Sequence, residues 1–110
     1  MKHVNFIKLN KVFSILRELN GDFPLPLAQV LLEVGQNPDG VTVSQVVSRT
    51  GLSQSSGSRH CRALTDMATP IKEGYGLAKW LHCPKDFRSK LLVLNEKGQE
   101  LHARLEAALK

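Results

Sequence analysis

Apolar positions in the first segment recur at three- and four-residue spacings. Phe6, Leu9, Val12, Phe13, Leu16 and Leu19 therefore share one face of an amphipathic helix. Asn20-Gly21 is expected to end it as a left-handed cap. Leu27, Val30, Leu31 and Val34 repeat the pattern, with Pro26 suited to the first helical position. Gly35 through Gly40, enclosing Asn37-Pro38-Asp39, predicts a loop. A short helix then opens at Thr42 or Val43, carries Val46 and Val47, and stops at Gly51. Leu52 reads as a buried spacer and Ser53 as an N-cap, so the next helix is predicted from about Gln54 to Met67. Two short helices flanking Gly-Leu-Ser form a helix-turn-helix pattern, a spacing that plain packed helices also produce.

Pro70 forbids regular helix beyond Met67, and Gly74-Tyr75-Gly76 reads as a flexible joint. Leu77–Cys83 is predicted as a strand, Pro84-Lys85-Asp86 as a turn, and Ser89–Leu94 as a second strand. In that strand Leu92 and Leu94 lie on one face, Leu91 and Val93 on the other. Asn95 caps a last helix with Leu101, Leu105 and Leu109 on one side. The predicted fold class is mainly α with a small β-hairpin, a winged helix-turn-helix of α+β type.

Composition agrees with one folded unit. At 110 residues the chain holds one core, and 42% apolar with 23% charged residues is a soluble globular balance. No apolar run reaches the roughly 18–20 residues of a membrane span, and the start lacks a secretory pattern, so a cytoplasmic protein is expected. Cys61 and Cys83 each follow a histidine. Adjacent residues point in different directions, so one such pair rarely supplies two ligands to one ion; reduced thiols and no metal are expected. No nucleophile stands beside a base, no glycine-rich phosphate loop occurs, and the four histidines are scattered. Neither catalysis nor a cofactor is expected.

Charge gives the chain a direction. Fifteen Lys and Arg against ten Asp and Glu leave +5. Residues 53–90 hold seven of those basic groups and three acidic ones, an excess of four. The span from Leu91 onward has three of each. On the predicted Gln54–Met67 helix, Gly57, His60 or Cys61, Leu64 and Met67 fall at core spacing. Ser55, Ser58, Arg59 and Arg62 fall opposite, behind Ser53, Gln54 and Ser56 at the amino end. Small polar residues with two arginines suit close approach to a major groove, where arginine can fork onto guanine. The same face also reads as ordinary solvated surface. At the hairpin tip, Lys85, Asp86, Arg88 and Lys90 fit either a polar turn or a minor-groove contact, with Asp86 able to hold Arg88. Tyr75, Trp80 and Phe87 are too dispersed for an RNA-stacking platform.

The segment Gly76-Leu77, then Asp86-Phe87-Arg88-Ser89-Lys90-Leu91, then Leu94-Asn95-Glu96-Lys97-Gly98 resembles the wing signature of MarR-type winged-helix regulators. Leu52-Ser53-Gln54-Ser55-Ser56-Gly57-Ser58-Arg59 resembles the start of that family's recognition helix. The resemblance covers roughly residues 25–100. It implies a transcriptional regulator, a repressor, acting as a homodimer on a palindromic double-stranded DNA operator. It also implies Arg88 in the minor groove braced by Asp86, with base and phosphate contacts from Ser55, Ser58, Arg59 and Arg62. Residues 1–24 would be a dimer-forming N-terminal helix, 25–94 the winged helix-turn-helix core, and 95–110 a C-terminal helix. Phe87 replaces an arginine common in the wing, Asn95 replaces the usual threonine cap, and Thr69–Tyr75 reads as an insertion that displaces the wing. The expected variant is short, with one modest C-terminal helix. Phe6, Leu9 and Phe13 with Leu101, Leu105 and Leu109 would form either a reduced dimer interface or the monomer's own core. Ligand sensing in the family uses a pocket near the dimer helices, which leaves a small-molecule effector open. The alternative is a winged helix that docks a protein rather than DNA.

Overall fold

The computed structural model describes residues 3–110, apart from the side chains of Phe87 and Arg88. Helices α1 (Val4–Leu19), α2 (Leu25–Gly35), α3 (Val43–Thr50) and α4 (Gln54–Leu64) come first. A small hairpin of β1 (Met67–Thr69) and β2 (Lys72–Glu73) follows, then a longer one of β3 (Ala78–Cys83) and β4 (Asp86–Leu94), and last α5 (Glu96–Leu109).

The periodic positions of α1 divide once the chain folds. Val12 and Leu16 are buried and Leu19 packs at the edge of the core, whereas Phe6, Leu9 and Phe13 stay exposed. The expected left-handed cap at its end is absent: Asn20 is extended at φ −162°, and its side-chain oxygen accepts the Asp22 N–H at 2.9 Å. That local turn replaces the need for a positive φ. In α2, Pro24 is the N-cap, which moves Pro26 to the second helical position, and Leu27, Val30, Leu31 and Val34 are buried as expected.

The helix-turn-helix forms at the predicted signals. Thr42 and Gln45 make a reciprocal capping box at the start of α3, with bonds of 3.1 and 2.9 Å. Gly51 ends α3 at φ 79°, a conformation that glycine adopts without steric cost. Ser53 caps α4 by accepting the Ser56 N–H at 3.1 Å. Gly57 faces α3, where a Cβ would come within 2.5 Å of Val47 Cγ2, so the helices meet on a glycine.

The end of α4 departs from expectation. The helix stops at Leu64, not Met67, because Thr65 turns extended and its hydroxyl donates to the Arg62 carbonyl at 2.6 Å. Met67 leaves the core face, begins β1 and is exposed. The insertion is thus a hairpin, antiparallel from Met67↔Glu73 to Thr69↔Lys72. The joint at residues 74–76 is likewise not free. The N–H groups of Gly74, Tyr75, Gly76 and Leu77 donate to the carbonyls of Asp66, Ala63, Thr65 and Leu64 at 2.7–3.0 Å. Those bonds satisfy carbonyls that the end of α4 would otherwise leave unpaired.

Strand β3 starts one residue later than predicted and β4 three residues earlier. A two-residue turn, Pro84-Lys85, joins them. The ladder shifts between His82↔Lys90 and Cys83↔Asp86, so residues 87–89 bulge from β4. Val41 adds an edge contact that the sequence pattern does not show, exchanging bonds of 3.1 and 2.8 Å with Leu92. Asn95 caps α5 by accepting the Gly98 N–H at 2.9 Å. Leu101 and Leu105 are buried in the chain's own core; only Leu109 of that expected interface trio is exposed. Leu27, Leu31, Leu64, Leu77, Leu92 and Leu105 fill the centre, which all five helices and the β3–β4 hairpin enclose. No helix among the described residues is long and apolar enough to cross a membrane.

Candidate nucleic-acid interface

Helix α4 presents two chemically distinct faces. Gly57, Cys61 and Leu64 point into the core. Ser53, Gln54, Ser55, Arg59 and Arg62 are exposed, and Ser56 and Ser58 are half-buried. Two of these hydroxyls already have local work. Ser53 caps the helix and lies 3.5 Å from the Ser55 hydroxyl. Ser58 accepts from Arg62 Nη1 at 2.6 Å one helical turn away, which holds that guanidinium along the helix. The outer face therefore offers Gln54, Ser55 and Arg59 near its amino end, with a pre-oriented Arg62 behind them.

Among the described residues, Arg17, Arg49 and Arg104 are neutralised or engaged. Arg104 grips Glu18 with bonds of 2.9 and 3.2 Å, Arg49 lies 3.9 Å from Glu33, and Arg17 donates to the Gly21 carbonyl at 3.0 Å. The Arg104 partner holds the Glu18 carboxyl below its usual range, through the hydrogen bond first and the charge second. Among the described residues, Arg59 and Arg62 have no carboxylate within ion-pair distance. Burial first, and the Arg59 charge second, lower the His60 pKa from its ordinary imidazole value.

The wing brings Lys79, Lys85 and Lys90 to the surface. Asp86 is exposed and accepts the Ser89 hydroxyl at 3.1 Å. The Arg88 side chain, and with it the expected Arg88–Asp86 brace, lies outside the described residues. A groove of about 260 Å³ separates the wing from the start of α3, lined by Thr42, Val43, Ser44, Trp80, Ser89 and Lys90. Ser44 and Trp80 were not among the sequence candidates. The Thr42-Val43-Ser44-Gln45 capping box marks the helix start, but nothing local places it beside Lys90. Neither His-Cys pair collects further ligands: among the described residues no three His, Cys, Asp or Glu side chains cluster. Cys61 is fully buried, and burial pushes its thiol up to about 11.

No family model and no curated protein matches the chain. Solved structures do. The chain is similar to CouR from Rhodococcus jostii RHA1, solved with p-coumaroyl-CoA bound. The TM-score is 0.65 at 25% identity, over 96% of this chain and 69% of CouR. The heme sensor protein PefR from Streptococcus agalactiae, in complex with heme, gives a TM-score of 0.64 at 17% identity, over 93% of this chain and 66% of PefR. PefR with heme and carbon monoxide gives 0.62 at 16% identity. The fold is the MarR-type winged helix. In this winged helix, α3 and α4 form the helix-turn-helix and β3–β4 the wing. The β1–β2 hairpin is the insertion between them.

Proposed function

We propose that this winged helix is a sequence-specific regulator of transcription that binds double-stranded DNA, a repressor acting as a homodimer on a palindromic operator. One observation carries the reading: Arg59 and Arg62 stand exposed on the outer face of α4 with no carboxylate partner among the described residues, while Arg49 and Arg104 are ion-paired. An uncompensated guanidinium pair on the helix that follows the helix-turn-helix turn is suited to phosphate and guanine contacts. In the proposed mode the amino end of α4 enters the major groove, with Ser53, Gln54, Ser55 and Ser56 close to the duplex. Ser58 steers Arg62, and Arg59 reaches a base edge or phosphate. Lys85, Asp86, Arg88 and Lys90 place the wing beside the flanking minor groove. Repression follows from occupying the promoter, with no chemical step.

Selection from random duplexes, followed by sequencing, tests this directly. The expected product is a two-fold symmetric motif bound more weakly as salt rises. Arg59→Ala and Arg62→Ala should each lower the affinity and reduce the salt slope by about one. Recovery of no enriched motif, together with binding that ignores salt, would overturn the reading and favour a protein partner.

A further inference from the structure

Residues 74–77 lie where the long elements of the molecule meet. Their four N–H groups bond the carbonyls at the end of α4. On the other side, the Leu77 carbonyl accepts the Asn95 N–H at 3.0 Å and the Gly76 carbonyl accepts Asn95 Nδ2 at 2.8 Å, which anchors the start of α5. Tyr75 reaches in a third direction. Its hydroxyl accepts from Asn20 Nδ2 at 3.0 Å, and its ring lies tilted against Phe23 with centroids 5.4 Å apart. Asn20 and Phe23 belong to the corner between α1 and α2. A single tetrapeptide therefore joins α1 and α5 to the end of α4 and the root of β3.

We propose that Tyr75 is a positioning residue that fixes the angle between α1 and the α4–wing unit, and so fixes the spacing between the two half-sites that a dimer can span. This rests on the DNA-binding dimer proposed above. The physical reasoning concerns leverage. Far from the Tyr75 contact, α1 carries exposed Phe6 and Leu9, which stay free to meet the second copy of the proposed dimer, so a small rotation of α1 moves that surface widely. Each base pair added between half-sites shifts one of them by about 3.4 Å and turns it by about 35°. A dimer with a fixed angle meets one spacing well, whereas a dimer with a loose corner accepts several. The Asn20–Tyr75 bond is exposed, so losing it leaves Val12 and Leu16 in the core and Glu18 on Arg104, while removing the restraint that ties the α1–α2 corner to residues 74–77.

The test measures binding of the full chain to its selected motif and to versions lengthened or shortened by one base pair. Wild type is expected to prefer its best spacing about tenfold, and Tyr75→Phe to cut that ratio to about threefold, since one hydrogen bond is worth up to about tenfold. Phenylalanine keeps the ring against Phe23 and removes only the hydroxyl. Asn20→Ala, which removes the same bond from the other side, should flatten the profile equally, and thermal melting confirms that both variants fold. An unchanged ratio in either folded variant overturns the inference. So does an equal loss at every spacing, the mark of a merely structural role, or a wild type that binds duplex with no spacing preference. Absence of any duplex binding by wild type overturns the DNA-binding reading itself, and this inference with it.

Discussion

Gly74 and Gly21 are the same residue under opposite constraints. A Cβ on Gly74 would run into the backbone carbonyls of Thr65 and Ala63, which are held in the junction and have no side-chain freedom to yield. Gly21 has nothing within 4 Å, and its φ is not positive. Gly74→Ala is therefore expected to cost about 3 kcal/mol or more. Gly21→Ala should be neutral or stabilise by about 0.5 kcal/mol, by restricting the unfolded chain. Urea denaturation of the two variants decides this; equal midpoints would show that the junction relaxes freely. Cys61 makes a second residue-scale case. Its thiol is raised from an ordinary value of 9.0 to about 11. Ionisation therefore favours the unfolded chain, so this group's stability contribution is full below pH 9 and drains away as pH rises toward 11. The stability difference between wild type and Cys61→Ala should shrink over that interval, as followed by urea melts from pH 8 to 10.5. A constant difference would mean that the thiol reaches solvent in the native state.

The β1–β2 hairpin is a separable element. It departs at Asp66, two residues past the end of α4, and returns at Gly74, whose N–H bonds the Asp66 carbonyl at 2.7 Å, so its base is already closed. Its tip holds Ile71, which is 97% exposed, and Met67 is exposed as well, so the hairpin adds little to the core. Replacing residues 67–73 with Gly-Gly is expected to preserve the helical circular dichroism and to cost no more than about 1 kcal/mol. A collapse of the melting transition would show that the hairpin supports α4. Periodicity and caps were enough to read α2, α3 and most of α4 from the sequence, because Thr42, Gly51 and Ser53 act within four residues of themselves. The outward direction of Arg59 and Arg62 followed from the same helical period. What stayed hidden depends on distant partners. Val41 becomes an edge only through Leu92, Glu18 neutralises Arg104 from 86 residues away, and Tyr75 finds Asn20 across 55. The last turn of α4 is a local failure of pattern reading: Met67 kept the helical spacing, but the Thr65 hydroxyl captured the Arg62 carbonyl and turned the chain.

The described molecule measures 52 × 30 × 27 Å, and its exposed apolar surface gathers on α1. Core contacts of α1 begin only at Val12, so its first two turns stand clear of the buried core. Those turns expose Val4, Phe6, Ile7 and Leu9, with Phe6 at 65%. A short helix without tertiary support is marginal in water, and bulky apolar side chains on it add an association tendency. The stripe also continues inward. Phe13 borders an apolar cleft of about 340 Å³ that extends to Phe23 and Leu25. This continuous surface is what we propose a second copy covers, with Phe6, Leu9 and Phe13 in the interface and Leu101 and Leu105 left to the core. Phe6→Glu combined with Leu9→Glu should then convert a concentration-dependent dimer to a monomer in sedimentation equilibrium, with the β3–β4 core still folded. Loss of the second half-site should weaken duplex binding by about a hundredfold or more, because the linked contact acts at high effective concentration. Leu105→Glu provides the contrast, since it charges the core and should unfold the chain outright. A wild type that sediments as a monomer at every concentration, or a double variant that binds the symmetric motif as tightly as wild type, would remove the dimer from the proposed mechanism.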